Sequence, residues 1–144
     1  MRIVRIAMVI LSALIAVVVG LGFLLPKTHI ATRTVVVNAA PSRVWSAIKT
    51  VEAYPRWRGH AMTMEVIEEV KERRLVTRIA DAHLPFGGTW TYELVPMGAG
   101  TQVTIIEDGV IRNPIFRCMA RYVIGYHATM DEYLERLTAR VKRA

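Results

Sequence analysis

The sequence predicts an α+β domain, a curved antiparallel sheet wrapped around a long C-terminal helix, carried on one N-terminal transmembrane helix. Three observations predict it. Residues 6–25 are free of charge and contain Ser12 as their only hydroxyl. Residues 62–107 break into short runs with strand-like alternation, separated by polar or glycine-bearing turns. Residues 113–141 carry apolar side chains every three or four positions, the spacing of one helical face.

The apolar N-terminal stretch is twenty residues long, roughly 30 Å as a helix, which is the thickness of a hydrocarbon core. It exceeds the ~7–15 residues of a signal-peptide core, and no small-x-small cleavage site follows closely, so it reads as an uncleaved, single-pass membrane anchor. Arg2, Arg5 and the terminal amine precede it, while Lys27 and Arg33 follow. The positive-inside rule then leans toward a cytoplasmic N-terminus with the domain on the extracytoplasmic side. Ser12, Ala16 and Gly20 form a small-residue stripe of the kind that lets two membrane helices approach.

Pro26 ends the anchor, and residues 30–38, with Val35, Val36 and Val37, read as the first strand. Pro41 and Ser42 open an amphipathic helix to about residue 49, with Val44, Trp45 and Ile48 on one side. Tyr54-Pro55-Arg56-Trp57-Arg58-Gly59 is a loop with two large aromatics. Residues 62–70 and 74–80 form a hairpin through Lys71-Glu72-Arg73. In residues 86–94 the alternation places Trp90, Tyr92 and Leu94 on one face; residues 96–100 turn the chain and 101–107 form the partner strand. Asn113 caps the final helix, Pro114 fits its first position, and Ile115, Met119, Tyr122, Tyr126, Met130, Tyr133, Leu137 and Val141 form its apolar face. Unbroken, such a helix would be roughly 40 Å long. The chain therefore divides into an anchor with a short tether, residues 1–29, and one domain, residues 30–144.

Composition narrows the function classes. The chain of 144 residues has room for one core beyond the anchor. Its single cysteine, Cys118, excludes an internal disulfide framework and a multi-cysteine metal site. The formal charge of +7 is scattered, and Arg2 and Arg5 belong to the flank of the anchor, so the footprint of a nucleic-acid-binding protein is absent. The four histidines lack metal-ligand spacing, and neither a metal nor a cofactor is expected. Gly87-Gly88 enters a strand and is followed by no Gly-Lys-Ser/Thr, so it is not a phosphate loop. His29 stands beside the anchor and His60 and His83 in loops, which leaves His127, next to Tyr126 on the long helix, as the interior candidate. Trp57, Trp90, Tyr92, Phe116, Met119, Val123 and His127 lie on facing elements and either line a pocket or form a solid core.

Several segments taken together resemble a known group. They are Ala40-Pro41-Ser42-Arg43-Val44-Trp45, Tyr54-Pro55-Arg56-Trp57, Leu84-Pro85-Phe86-Gly87-Gly88-Thr89-Trp90-Thr91-Tyr92-Glu93-Leu94, Gly100-Thr101 and Asn113-Pro114-Ile115-Phe116-Arg117 through Gly125-Tyr126-His127 to Leu134. In this order they are similar to the helix-grip superfamily of START, birch-allergen and polyketide cyclase/dehydrase (SRPBCC) proteins, over residues 30–141. The resemblance implies a helix-grip fold with a cavity between sheet and helix, so the seven residues above become ligand-binding candidates. One departure is plain: the chain passes from Trp57 to Met62 almost directly where similar proteins run a further strand pair. A sheet shortened by about two strands leaves the pocket open on one side, or closed by a partner or the membrane.

The resemblance implies membrane-anchored binding or transfer of a small hydrophobic ligand, such as a lipid, an isoprenoid or a polyketide-like compound. A cyclase or dehydratase-type enzyme, with His127 and Tyr92 moving protons, is an alternative. A protein-interaction module using the sheet edge is another, and a homodimer would form through the transmembrane helix or that edge. The tether between the anchor and the first strand spans about 14 Å at most, which holds the domain against the bilayer. Arg56 and Arg58, which flank Trp57, and Arg112 and Arg117, at the start of the long helix, are the candidates for a rim meeting anionic headgroups; ordinary solvated charge is the competing reading.

Overall fold

The computed structural model describes residues 1–52 and 63–143. The expectations for Tyr54, Pro55, Arg56, Trp57, Arg58, His60 and Met62 lie outside the described residues. Helix α1 (Arg2–Leu24) is followed by strand β1 (Thr28–Val37), helix α2 (Pro41–Glu52), and strands β2 (Met64–Val70), β3 (Arg74–Ile79), β4 (Phe86–Met97) and β5 (Gly100–Ile111). Helix α3 (Pro114–Met119), a π-helical turn (Ala120–Ile124) and helix α4 (Ala128–Arg143) complete the chain. Among the described residues the strands form one five-stranded antiparallel sheet in the order β1-β5-β4-β3-β2. The α+β class and the five strands among the described residues are those the sequence predicts.

The core lies where α2 and α4 meet the inner face of this sheet. Val44, Trp45 and Ile48, the predicted apolar side of α2, are buried against Met130, Tyr133, Leu137 and Val141 of α4 and against Leu75, Tyr92, Leu94, Val103 and Ile105. Tyr133 sits edge-on to Trp90 with centroids 5.7 Å apart and tilted against Tyr92 at 5.6 Å. Such tilted arrangements set ring edges against ring faces, as aromatic quadrupoles favour. An exposed ion pair, Arg33 Nε to Asp131 Oδ1 at 2.6 Å, ties β1 to the first turn of α4.

The expectation of one continuous C-terminal helix is corrected by the structure. Asn113 does cap α3: its side chain accepts from the N–H groups of Ile115 and Phe116 at 2.8 and 3.3 Å. The helix then widens, and the Gly125 N–H reaches back to the Ala120 carbonyl at 3.0 Å, a bond across five residues. Gly125 itself has φ 81° and ψ 147°, a conformation open to glycine and strained for any residue with a Cβ. The chain changes direction there. Only Met130 and its successors in the predicted stripe enter the core, while Ile115, Met119 and Tyr122 remain exposed.

Helix α1 is long and apolar enough to cross a membrane, and its side chains are exposed along nearly all its length. Its last turn is the exception. Gly22 is buried against Pro114, where an added Cβ would lie 2.0 Å from the Pro114 carbonyl oxygen. The chain then passes directly into the sheet, with the Ile111 N–H bonded to the Lys27 carbonyl at 2.7 Å.

Candidate functional site

The alternation of two neighbouring strands builds the site. On β5, Val103 and Ile105 are buried, so the next inward positions belong to Glu107 and Gly109. On β1, Ala31 and Val37 are buried, and the same parity carried backward turns His29 inward. The register pairs His29 with Gly109. A Cβ at Gly109 would lie 2.3 Å from His29 Cε1, so the missing side chain is the space the imidazole occupies. Across the ring, Tyr126 stacks on His29 with centroids 4.1 Å apart and planes 17° from parallel. His29 Nε2 lies 3.6 Å from Glu107 Oε1, and the two side chains are 12% and 21% exposed.

These groups form the polar end of a cleft of about 450 Å³, within the ~300–1,000 Å³ usual for small-molecule sites. Phe86, Trp90 and Ile111 provide one apolar wall from the sheet. Phe116, Ala120 and Ile124, from α3 and the π-turn, provide the other. Thr129 and Glu132 of α4 add polar atoms to the lining. A histidine and a carboxylate this close can bind a hydroxyl or amine between them, or exchange a proton through one. Among the described residues no cluster of histidine, cysteine and acidic side chains could hold a metal ion.

The structure brings together only part of the predicted site. Trp90 and Phe116 line the cleft. Tyr92 is fully buried in the core, outside the cleft lining. Met119 and Val123 are 39% and 76% exposed and do not line the cleft. His127 is half-buried in the turn before α4, where its carbonyl accepts the Asp131 N–H at 2.9 Å, and it does not line the cleft. Trp57 lies outside the described residues. Among the described residues the histidine that lines the cleft is His29; the sequence places the start of the first strand at Ile30, and the alternation extended by one residue is the signal that reaches it.

The arginine rim is also corrected. Arg117 is 3% exposed and cannot meet a headgroup. It donates from Nη1 to the Leu25 carbonyl at 2.9 Å and from Nη2 to the Arg112 carbonyl at 3.2 Å, and its guanidinium lies 5.9 Å from the centroid of the Phe23 ring. Leu25 follows the last residue of α1, so this cation sits where the dipole of α1 is negative. Arg112 is exposed, yet its Nη1 already bonds the Leu84 and Phe86 carbonyls at 3.0 and 3.3 Å. Arg56 and Arg58 lie outside the described residues.

No family model and no curated protein matches the sequence. Solved structures do match. A START superfamily protein from Mycobacterium smegmatis aligns with a TM-score of 0.60 at 18% identity, over 80% of this chain and 98% of its own. A protein from Mesorhizobium loti aligns with a TM-score of 0.59 at 16% identity, over 82% and 98%. A norcoclaurine synthase point mutant from Thalictrum flavum, in complex with a transition-state analogue, aligns with a TM-score of 0.59 at 10% identity, over 81% and 95%. At these identities the likeness is one of fold, and the fold is the helix-grip fold.

Proposed function

We propose that this chain is a membrane-anchored domain that binds a small hydrophobic molecule carrying a polar group, such as a lipid, an isoprenoid or a polyketide-like compound. The observation that carries the reading is the cleft of about 450 Å³, apolar on the walls given by Trp90, Ile111, Phe116 and Ile124 and polar at His29 and Glu107. Its apolar lining rewards removal of ligand surface from water at about 25 cal/mol per Å². The norcoclaurine synthase neighbour is in complex with a transition-state analogue on the same fold, which supports the reading at the level of fold alone.

The test uses the full chain in lipid nanodiscs and native mass spectrometry of the released protein. Wild type is expected to carry an apolar adduct, and Ala120→Trp, which fills the cleft from the π-turn, is expected to lose it with its thermal transition intact. An adduct retained by the filled variant would place binding elsewhere. Trp90→Ala is the poorer test, because Trp90 is only 5% exposed and truncating a buried aromatic costs about 3–5 kcal/mol.

A second reading, a cyclase or dehydratase-type enzyme, is favoured by one observation: His29 and Glu107 lie 3.6 Å apart at the polar end of the cleft. The acid/base roles then pass from His127 and Tyr92 to this pair. In that case His29→Gln keeps the adduct and loses turnover, whereas equal rates in the two proteins would remove the enzymatic reading.

A further inference from the structure

The surface formed by α3 and the π-turn is left uncovered by the domain. Ile115, Phe116, Met119, Tyr122, Val123 and Ile124 are 42%, 45%, 39%, 65%, 76% and 56% exposed. Six large apolar side chains within ten residues make a contiguous patch of the kind that marks an interaction surface. Three observations identify what covers it.

The first is continuity. The patch abuts the last turn of α1, where Gly22 packs on Pro114 and Arg117 holds the Leu25 carbonyl, and the exposed Phe23 and Leu24 of α1 extend the same apolar surface. The second is depth. Arg117 and the tight contact at Gly22 fix α3 beside the C-terminal end of α1, so α3 sits at the level where that helix leaves a hydrocarbon core. The third is charge. Residues 109–130 contain no aspartate or glutamate, the exposed Arg121 stands in the π-turn beside the patch, and the first acidic residue of the whole chain is Glu52. A negatively charged headgroup region complements such a stretch.

We infer that α3 and the π-turn form a second membrane element, immersed in the interfacial part of the leaflet in which α1 ends and locked to α1 by Gly22 and Arg117. Phe116 and Ile124 then face both the lipid and the cleft, and the wall of the cleft is the boundary with the bilayer. An apolar ligand passes between lipid and cleft past the π-turn without crossing water. The inference rests on the reading of α1 as a membrane span.

The experiment is site-directed spin labelling of the full chain in vesicles of phosphatidylcholine and phosphatidylglycerol, in a Cys118→Ala background that removes the native thiol. Single labels are placed through Met119→Cys and Val123→Cys, with Leu14→Cys in the middle of α1 and Val36→Cys on the outer face of the sheet as references. Collisions with oxygen are compared with collisions with a water-soluble nickel chelate. Positions 119 and 123 are expected to favour oxygen, as position 14 does, while position 36 favours nickel. Nickel-dominated collisions at 119 and 123 with a lipid-like label at 14 would overturn the inference and leave the anchor standing. Low collision rates with both reagents at 119 and 123 would overturn it in favour of a protein partner. A water-exposed label at 14 would overturn the anchor and this inference together, leaving the cleft untouched.

Discussion

A strand position without a side chain creates the site at the residue scale. His29 occupies the inner face of β1 because Gly109, its partner on β5, leaves the room. Gly109→Val is therefore expected to drive the imidazole off the Tyr126 ring. Overpacking of this kind costs roughly 1–3 kcal/mol, and the upfield ring shift of the His29 protons in an NMR spectrum is expected to disappear. An unchanged shift would show that the ring is held by something other than the space above Gly109. The pair was hidden from sequence reasoning for a physical reason. Thr28 and His29 follow a proline and look like tether, while Asp108 and Gly109 are weak strand formers. Each stretch becomes a strand because the other supplies its hydrogen bonds, with Thr28 opposite Val110 and Ile30 opposite Asp108. A propensity read along one strand does not see its partner.

The ligand environment follows from the same placement. His29→Leu keeps the apolar volume and removes the ring donors and acceptors. Binding of a plain hydrocarbon probe is expected to persist, while a probe bearing one hydroxyl is expected to lose about fivefold in affinity, the equivalent of one neutral hydrogen bond of about 1 kcal/mol. Equal losses for the two probes, measured by displacement of a fluorescent fatty acid, would mean that His29 only shapes the wall.

At the element scale, Gly125 separates two helices that the apolar spacing joins into one. Periodicity reports that one face is apolar, and it is silent on what covers that face. In α4 the sheet and α2 cover it; in α3 and the π-turn the domain leaves it open. The substitution Gly125→Ala distinguishes the two architectures by sign. Within a continuous helix alanine would stabilise by about 1 kcal/mol. At φ 81° and ψ 147° it is expected to destabilise by roughly 1–3 kcal/mol, lowering the midpoint of thermal unfolding by several degrees. A rise in the midpoint would restore the unbroken helix. Asn113, by contrast, was legible as a cap, because capping is a local exchange between one side chain and the next turn.

For the molecule as a whole, the five described strands were readable from their alternation and turns, whereas the docking of α1 was not. That docking depends on residues far apart in sequence: Gly22 against Pro114, and Arg117 with the Leu25 carbonyl. A glycine in an apolar helix and an arginine near a helix start have many ordinary explanations when read singly. Together they make α1 part of the folded structure and leave little freedom in the link to β1, whose Lys27 carbonyl is held by the Ile111 N–H.

The Gly22→Leu substitution in the full chain tests this joint. Leucine is at least as good a helix former as glycine is poor, so α1 persists as a helix. Its side chain cannot fit, because even a Cβ would lie 2.0 Å from the Pro114 oxygen. The last turn of α1 must lift from α3, taking the Leu25 carbonyl from Arg117 and loosening the start of β1. Gly22 lies outside the core cluster, so the thermal transition of the domain is expected to hold. Tryptic cleavage between Lys27 and Thr28 in nanodiscs is expected to rise about tenfold, since local opening that is easier by about 1.4 kcal/mol raises the cleavable population by that factor. An unchanged cleavage rate, with the helix signal of α1 retained, would mean that α1 is joined to the domain by the link through Lys27 alone.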